Sequence, residues 1–354
     1  MTTYLLLFPF ALAWLVTLQG VPWVMQLGQR HQWVDQPDHR KVHRTPIVRV
    51  GGLGMAAGLL LATLVLGGMG WIHSDFRLTG ADWAIVLGGL GFFAIGFADD
   101  IWQLPPLPRL VMQVLVALGV WGLGVQVEYL PVPLFGAVSV GWLSLPITIL
   151  WIAGTANALN WFDGLDGLAG GVGGLCALML AITAMLQGQW VTAAMALTLS
   201  GAALGFLRYN FPPAKIFMGD GGSYLIGFTL AALCAHGLMG TPRLMGAIAP
   251  FFILGIPLLD MTLVMIARIS NGKSPLYPDR RHLHHRLLAR GCSPLMTTGY
   301  IWALSVWTGS WSLVITRPSL GWLCLGATSL VLGAMTLFLL RISRKDKLQT
   351  SYSA

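Results

Sequence analysis

Apolar stretches of roughly twenty residues follow one another along nearly the whole chain, and short polar segments separate them. A helix needs about 20 mainly apolar residues to cross the hydrocarbon core of a bilayer. Eleven stretches come close to this length, so the pattern predicts eleven transmembrane helices. They cover residues 3–20, 51–71, 82–98, 108–126, 142–157, 165–186, 189–206, 222–240, 246–268, 298–315 and 320–341. The first charged residue is Arg30, so the first stretch is predicted to be an uncleaved helix rather than a signal peptide.

The composition excludes the soluble classes of protein. Hydrophobic residues make up 56% of the chain, charged residues 10%, and the mean hydropathy is +0.72. A soluble domain carries about a quarter charged residues. We therefore expect an all-α integral membrane protein, with one polytopic domain over residues 1–354 that ends in a basic cytoplasmic tail at 342–354.

The basic residues are distributed on one side of this predicted topology. Of the 21 Lys and Arg residues, 18 fall in one set of alternating loops, and only Arg77, Arg243 and Arg317 fall in the other. The positive-inside bias makes the first set cytoplasmic, with the N-terminus outside and the C-terminus inside. Nine of the 13 acidic residues and six of the eight histidines lie on this same side. Because the bias says little about Asp or His, their clustering indicates a cytoplasmic active site.

Three carboxylate motifs lie on that side. Asp99 and Asp100 end the third stretch, and adjacent carboxylates repel each other unless a cation or a proton lies between them. Asn160, Asp163 and Asp166 are spaced by three, which would place them on one face of a helical turn. Asp220 precedes the eighth stretch and is of the type that ligates hard cations such as Mg²⁺. A solvated helix end or an ordinary capped loop is the alternative for the first two motifs.

Aromatic and basic residues supply further candidates. Phe217 could stack on a base or anchor the membrane interface. The longest polar loop holds His282, His284, His285 and Arg286, which could grip a diphosphate through charge-assisted hydrogen bonds. A zinc site and a solvated basic loop are the competing interpretations. Asp260, within the ninth stretch, is expected to pair internally and support the fold.

Together, these segments resemble the polyprenyl-phosphate N-acetylhexosamine-1-phosphate transferases, the glycosyltransferase 4 family. The resemblance covers residues 35 to about 290 and rests on five motifs in the family's order. They are the first loop with Arg40-Lys41-x-His43, the pair Asp99-Asp100, the loop Asn157-x-x-Asn160-x-x-Asp163-Gly-x-Asp166-Gly, the segment Pro213-Ala214-Lys215-x-Phe217-Met218-Gly219-Asp220 and the run His282-x-His284-His285. The histidine run looks like that of the WecA-type and teichoic-acid-initiating members. The chain departs from the family at Gly221, where members commonly have Thr or Val, and at Arg109, a position often held by Lys.

The resemblance implies a reaction and its participants. The phosphate of undecaprenyl phosphate would attack the β-phosphorus of UDP-GlcNAc and give undecaprenyl-diphosphate-GlcNAc and UMP. This would be the first membrane step of an envelope polysaccharide pathway, such as lipopolysaccharide or teichoic acid synthesis. The implied cofactor is Mg²⁺, with Mn²⁺ possible, and the implied location is the bacterial inner membrane. A homodimer is left open, and no nucleic-acid module is present.

The resemblance also implies roles for individual residues. Asp220 and Asn160 would hold the metal and the diphosphate. Asp166 would read the uracil edge, with Phe217 stacking on the base and with Asp163 and Asn210 in the same substrate site. Asp99 would be the candidate base, and Asp100 would support the metal or the lipid. The cationic group would be His282, His284, His285, Arg286 and Lys41.

Two other functions compete with this one. The donor could be another UDP-amino sugar, such as UDP-MurNAc-pentapeptide. A transporter of an anionic metabolite is the alternative from a different class. Transporter sites lie near the bilayer midplane and often between repeated halves, whereas here the ionisable residues gather at one interface and no repeat is visible.

Overall fold

Helices make up 76% of the computed structural model, which describes residues 5–36, 45–274 and 281–352. Lys41, one of the predicted site residues, lies outside the described residues. The helices are α1 (Leu7–Arg30), α2 (Gly52–Met69), α3 (Gly80–Trp102), α4 (Pro106–Gly122), α5 (Ser144–Phe162), α6 (Leu168–Leu186), α7 (Trp190–Asn210), α8 (Gly219–Leu233), α9 (Leu244–Ile253), α10 (Gly255–Ile269), α11 (Leu283–Leu288), α12 (Pro294–Thr316) and α13 (Pro318–Tyr352).

Local sequence signals explain where several helices begin. Thr79 and Asp82 form a reciprocal capping box at the start of α3. Pro106 lies in the first turn of α4, where a backbone N–H would have no acceptor within the helix, so the N–H that proline lacks is not needed. The Ser293 side chain accepts a hydrogen bond from the Met296 amide at the start of α12. These signals therefore define the residues at which α3, α4 and α12 begin.

The predicted membrane-protein class is confirmed at the level of its helices. Among the described residues, eight helices are long and apolar enough to cross a membrane. A ninth span is added if α9 and α10, which meet at a bend of 67°, are counted as one. Of the eleven predicted stretches, the other two coincide with α4 and α12. The first is a shorter apolar helix, and the second is rich in Ser, Thr and Trp.

Helix α8 lies at the centre of the bundle. It packs against α2, α3, α5, α6 and α7, and 94% of its membrane-length window is buried. Glycine permits the closest of these approaches. A Cβ on Gly96 of α3 would collide with the backbone carbonyl of Asp220, and one on Gly52 of α2 would collide with Gly222. Small residues at helix crossings are the usual means of close packing in a membrane.

Two short antiparallel hairpins complete the described structure. Strands β1 (Val34–Asp35) and β2 (Ile47–Val48) flank the first loop. Strands β3 (Tyr129–Val132) and β4 (Gly136–Ser139) lie between α4 and α5. Beyond β2, the chain runs beside the segment before α8, since Phe217 N–H donates to Val48 and Gly51 N–H donates to Phe217. The hairpins were not predicted from the sequence, but they are too short to change the all-α class.

Candidate functional site

The candidate site lies at one end of the bundle, where α3, α5 and α7 end and α4, α6 and α8 begin. Successive helices run in opposite directions, so these termini meet. Asp99 and Asp100 come from the last turn of α3, Asn160 from the last turn of α5 and Asp220 from the first turn of α8. The structure thus brings together three motifs that are far apart in the sequence.

Asp100 is bound by the protein itself. Its carboxylate accepts hydrogen bonds from the backbone amides of Asp220 and Gly221 at 3.0 and 3.1 Å, so it caps the start of α8. The Arg49 guanidinium donates to the same carboxylate at 2.9 and 3.2 Å. Asp100 is therefore placed to hold α8, and this geometry favours a positioning role over the metal or lipid contact that the sequence suggested.

Asp99 faces a different partner. Arg109, from the first turn of α4, donates to Asp99 and lies 3.4 Å from the Asp220 carboxylate. The Asp220 side chain is 29% exposed, whereas that of Asp99 is 7% exposed. Two carboxylates from different helices thus share one guanidinium, and Asp220 is the one that a solute can reach more easily.

Asn160 completes this cluster. Its Nδ2 donates to the Asp220 carboxylate at 2.8 Å and to the Ser223 hydroxyl at 3.0 Å. The amide therefore orients Asp220, and the metal contact predicted for its oxygen stays a prediction.

The donor set fits a magnesium ion that binds together with a substrate. Mg²⁺ prefers oxygen ligands, and proteins usually hold it with one or two carboxylates plus substrate phosphates. Asp99 and Asp220 supply such carboxylates, and Asn160 is the neighbouring amide. Within the described ranges, no group of three His, Cys, Asp or Glu side chains could hold a metal by itself. This arrangement suits a metal that completes its coordination on a diphosphate.

The loop after α5 carries a second pair of carboxylates. Burial, followed by the nearby charges of Asp100 and Asp166, raises the pKa of Asp163 to about 7. Asp166 accepts a hydrogen bond from the Ala214 amide at 2.9 Å, and its backbone carbonyl accepts one from the Thr298 hydroxyl. Asp166 therefore joins this loop to the segment before α8, while Asp163 lies near the border between its two protonation states at neutral pH.

Asn210 is buried, and both the oxygen and the nitrogen of its side-chain amide form hydrogen bonds with the backbone. Its oxygen accepts from the Gly167 amide at 3.0 Å, and its nitrogen donates to the Ile216 carbonyl at 2.9 Å. The amide is therefore used in fixing two loops, and the place predicted for Asn210 in the substrate site stays a prediction. The half-buried Phe217 lies on one of these loops.

The histidine run differs from its expected arrangement. His282 precedes α11 and binds Asp260 through Nδ1 at 2.8 Å, and Asp260 also accepts from the Leu283 amide at 2.7 Å. The internal pairing predicted for Asp260 is thus confirmed. The rings of His282 and His284 stack at 5.8 Å, and those of His284 and His285 lie 4.2 Å apart. The run forms an imidazole stack rather than three exposed cations.

His284 cannot provide the positive charge that was expected of it. It is 1% exposed, and neither ring nitrogen has a hydrogen-bond partner among the residues that the structure describes. Burial, then His285 and His282, lower the pKa of His284 to about 4, so the ring is neutral at pH 7. His285 is half-buried and Arg286 is exposed. These two are the members of the predicted cationic group in this run that reach the surface.

An apolar cavity of about 500 Å³ adjoins the histidine run. Its wall is mainly the face of α10, with Ile256, Leu259, Leu263 and Val264, and its polar lining residues are Asp260, Arg281 and Arg286. A chain of side-chain contacts links Asp260, which lines the cavity, to the residue next to Asn160. His282, the partner of Asp260, lies 6.3 Å from the ring of Trp161, which directly follows Asn160.

Sequence reasoning missed Arg49 and Arg109 as members of the site. Arg109 stands ten residues after Asp99 across a proline-rich turn, and this cation close to a carboxylate pair was the available signal. Arg49 gave no such signal, because 51 residues separate it from Asp100. Arg268 was also missed; it is buried and its guanidinium lies 4.8 Å from the Trp161 ring centroid.

Comparison with known proteins gives a consistent result. Residues 83–238 match the model of the family described as Glycosyl transferase family 4. The chain is 35% identical over 317 residues to the probable undecaprenyl-phosphate N-acetylglucosaminyl 1-phosphate transferase of Bacillus subtilis, covering 89% of this chain and 86% of the relative. It is 32% identical to the decaprenyl-phosphate N-acetylglucosaminephosphotransferase of Mycobacterium leprae, covering 90% and 86%. The undecaprenyl-phosphate alpha-N-acetylglucosaminyl 1-phosphate transferase of Yersinia pestis is 29% identical, covering 82% and 77%.

Proposed function

Because the chain belongs to glycosyl transferase family 4, we propose that it transfers GlcNAc-1-phosphate from UDP-GlcNAc to undecaprenyl phosphate. The names of these relatives describe this kind of transferase, with undecaprenyl phosphate or decaprenyl phosphate as the lipid. One observation carries the proposal. A carboxylate and amide cluster suited to a metal-bound diphosphate is linked, through contacts of Trp161, His282 and Asp260, to an apolar cavity lined by two arginines. Such a pair of neighbouring sites can hold a nucleotide sugar and a lipid phosphate together.

The reaction is a single displacement at phosphorus. An oxygen of the lipid phosphate forms a bond to the β-phosphorus of UDP-GlcNAc, and the bond from that phosphorus to the bridging oxygen breaks. The bridging oxygen leaves with UMP, and the lipid retains a diphosphate linked to GlcNAc. The acceptor is already an anion at neutral pH, so the step needs positioning and charge stabilisation more than proton removal. Asp99, which shares the guanidinium of Arg109 with Asp220, therefore need not act as a general base.

Cations and donors of this chain stabilise the charge that the reaction develops. Arg109 lies between Asp99 and Asp220 and can donate to a diphosphate oxygen through its planar fork. Mg²⁺, bound through Asp220 and Asp99 with Asn160 adjacent, would add positive charge at the diphosphate. Arg281 and Arg286, which line the apolar cavity, supply charge for the lipid phosphate. The predicted uridine contacts of Asp166 and Phe217 complete this proposal.

The apolar cavity supports the choice of acceptor. Its wall of aliphatic side chains on α10 suits an isoprenoid chain, whose burial is favourable at about 25 cal/mol per Å². A water-soluble acceptor would gain nothing from this surface. We therefore place the first isoprene units on α10 and the phosphate toward Arg281 and Arg286.

The orientation follows from the charge distribution. We propose that the site faces the cytoplasm of a bacterium from the inner membrane, with eleven spans and the N-terminus outside. The set of predicted loops that contains the site motifs carries 18 of the 21 Lys and Arg residues, and the positive-inside bias favours the cytoplasm for such loops.

A donor panel tests the proposal. Purified protein in nanodiscs would receive undecaprenyl phosphate and, in turn, UDP-GlcNAc, UDP-GalNAc and UDP-MurNAc-pentapeptide, and UMP release would be followed. We expect UMP release when UDP-GlcNAc is the donor. This release should require the lipid, stop when EDTA is added and return when Mg²⁺ is added. Asp220→Asn should lose roughly 100-fold or more of the rate at every Mg²⁺ concentration. Release with UDP-MurNAc-pentapeptide alone would reassign the donor, and no release with any donor would refute the proposal.

A further inference from the structure

Three polar side chains form a connected group within the membrane part of the bundle, beyond the carboxylate cluster. Gln113 on α4 is fully buried, and its Oε1 accepts a hydrogen bond from Asn157 Nδ2 of α5 at 2.7 Å. The same Nδ2 donates to the Ala153 carbonyl at 2.8 Å. The fully buried Tyr224 of α8 directs its hydroxyl to Asn157 Oδ1 at 3.4 Å. The group thus ties α4, α5 and α8 together.

A buried polar group of this kind is costly. Each buried amide and hydroxyl gives up its hydration, and Gln113 Nε2 has no hydrogen-bond partner within the described part of the chain. Apolar side chains at these positions would avoid this cost, because helix association in a membrane depends mainly on packing. The reaction proposed above is carried out by other residues, so the group needs an explanation of its own.

The group leads directly to Arg109. The Arg109 guanidinium carbon lies 5.9 Å from the centroid of the Tyr224 ring, within the range of a cation–π contact. Gln113 follows Arg109 by four residues on α4, so both side chains lie on the same face of that helix. Arg109 therefore rests on the Tyr224 ring at one side and contacts Asp99 and Asp220 at the other.

We propose that Tyr224, held by Asn157 and Gln113, is a positioning residue that fixes the Arg109 guanidinium between Asp99 and Asp220. This inference rests on the proposed function, since the fixed guanidinium is useful only where charge develops. An arginine side chain has several freely rotating bonds, and holding it before the reaction lowers the entropy lost in the transition state. The ring supports the cation without offering a hydrogen-bond acceptor that would compete with the substrate.

The inference predicts a separation of kinetic effects. The loss of the ring in Tyr224→Leu should lower kcat about tenfold with little change in the KM for UDP-GlcNAc, because Arg109 stays present but is no longer held. Tyr224→Phe keeps the ring and should lose about threefold, and Gln113→Leu should resemble it. Thr183→Val is the matched control. Thr183 is a buried hydroxyl near the other end of α6 that pairs with Ser312 at 3.0 Å, and its loss should leave kcat unchanged.

A double-mutant cycle decides whether Tyr224 acts through Arg109. Rates would be measured for wild type, Tyr224→Leu, Arg109→Gln and the double variant in nanodiscs, with thermal unfolding of each to confirm the fold. We expect the tenfold effect of Tyr224→Leu to fall below twofold in the Arg109→Gln background, because the residue that it positions is gone. If Tyr224→Leu fails to fold, the same cycle with Tyr224→Phe and Gln113→Leu carries the test.

Two results would overturn the inference, and they can be told apart. If wild type transfers but the two single effects multiply in the double variant, Tyr224 acts independently of Arg109 and the positioning role is wrong. If wild type transfers nothing from any UDP-sugar, the proposed function fails and the inference fails with it.

Discussion

At the residue scale, the adjacent carboxylates of Asp99 and Asp100 have different surroundings. Asp100 caps α8 and binds Arg49, whereas Asp99 shares Arg109 with Asp220. The resemblance to the family implied a base at Asp99 and metal or lipid support at Asp100, but the sequence did not reveal the partners of either carboxylate. The partners that distinguish them come from other parts of the chain, and their contacts depend on how α3 meets α8.

Asp163 gives a pH-dependent prediction at this scale. Its folded-state pKa of about 7 lies above the ordinary value of 3.8, so between these values the folded chain holds a proton that the unfolded chain releases. The contribution of this proton to stability is lost as the pH rises from 3.8 to about 7. Asp163→Asn mimics the protonated side chain. Its melting temperature should exceed that of wild type at both pH values, because the unfolded wild-type chain is ionised at both, and the excess should be roughly a few degrees larger at pH 8.5 than at pH 6.

The measurement is thermal unfolding in detergent with EDTA at both pH values. Asp75→Asn is a suitable control, because this exposed carboxylate lies in the short turn before α3, at the opposite end of the bundle from Asp163. It should show no pH-dependent difference from wild type. An equal gain for Asp163→Asn at pH 6 and pH 8.5 would contradict the raised pKa.

The histidine run shows that a sequence pattern does not reveal the burial or the charge of its side chains. Three histidines in four residues were interpreted as a cationic group, and their position next to the site agrees with that interpretation. The charge of His284 does not, since this ring is buried between neighbouring imidazoles and has a pKa of about 4. The burial of His284 depends on Phe162 at the end of α5 and on Gly164 in the loop after it, which pack against the His284 ring. Such a contact between distant segments cannot be read from spacing.

At the element scale, the apolar stretches of the sequence located the helices but not the bends within them. The predicted span at 246–268 is divided into α9 and α10, which meet at 67°. Pro257, in the first turn of α10, lacks the N–H that a continuous helix would use there. A window average of hydrophobicity is insensitive to such a break. The bend nevertheless matters, because α10 forms most of the apolar cavity wall.

The close crossing of α3 and α8 predicts the effect of adding one methyl group at Gly96. A Cβ on Gly96 would meet the backbone of Asp220 and Gly221, which cannot move without shifting the start of α8. Gly96→Ala should therefore destabilise the fold by about 1–3 kcal/mol and lower the transfer rate at least tenfold, since Asp220 would be displaced. Melting temperature and UMP release measure the two effects.

Gly154→Ala is the matched control on α5. A Cβ there meets no atom of the described residues within 4 Å, so the same methyl group should leave activity unchanged and the fold equally or more stable. Equal behaviour of the two variants would show that the α3–α8 crossing does not set the geometry of the site.

At the scale of the whole molecule, the sequence predicted the membrane class and the gathering of five motifs at one face. Four of these motifs meet in the described structure, and Lys41 of the first loop lies outside the described residues. The network behind Arg109 was not predicted. Gln113, Asn157 and Tyr224 stand on three helices, and in the sequence nothing relates the motif residue Asn157 to Gln113 or to Tyr224.

The proposed orientation can be measured with a membrane-impermeant maleimide. Leu134, in the hairpin between α4 and α5, lies at the opposite end of these helices from the site, whereas the exposed Arg290 follows the histidine run. In a Cys292→Ser, Cys324→Ser background, Leu134→Cys should be labelled in intact cells. Arg290→Cys should react only after the membrane is opened. The reverse pattern would invert the topology.

The central claim is that the sugar moves together with one phosphate, and labelled UDP-GlcNAc tests this most directly. The donor would carry ³²P at the β-phosphorus and ¹⁴C in the sugar, and the lipid and aqueous products would be counted after reaction with undecaprenyl phosphate. The account predicts that both labels enter the lipid in equal amounts and that the released nucleotide is unlabelled UMP. Carbon label in the lipid with ³²P left in UDP would mean sugar transfer alone, and would contradict it.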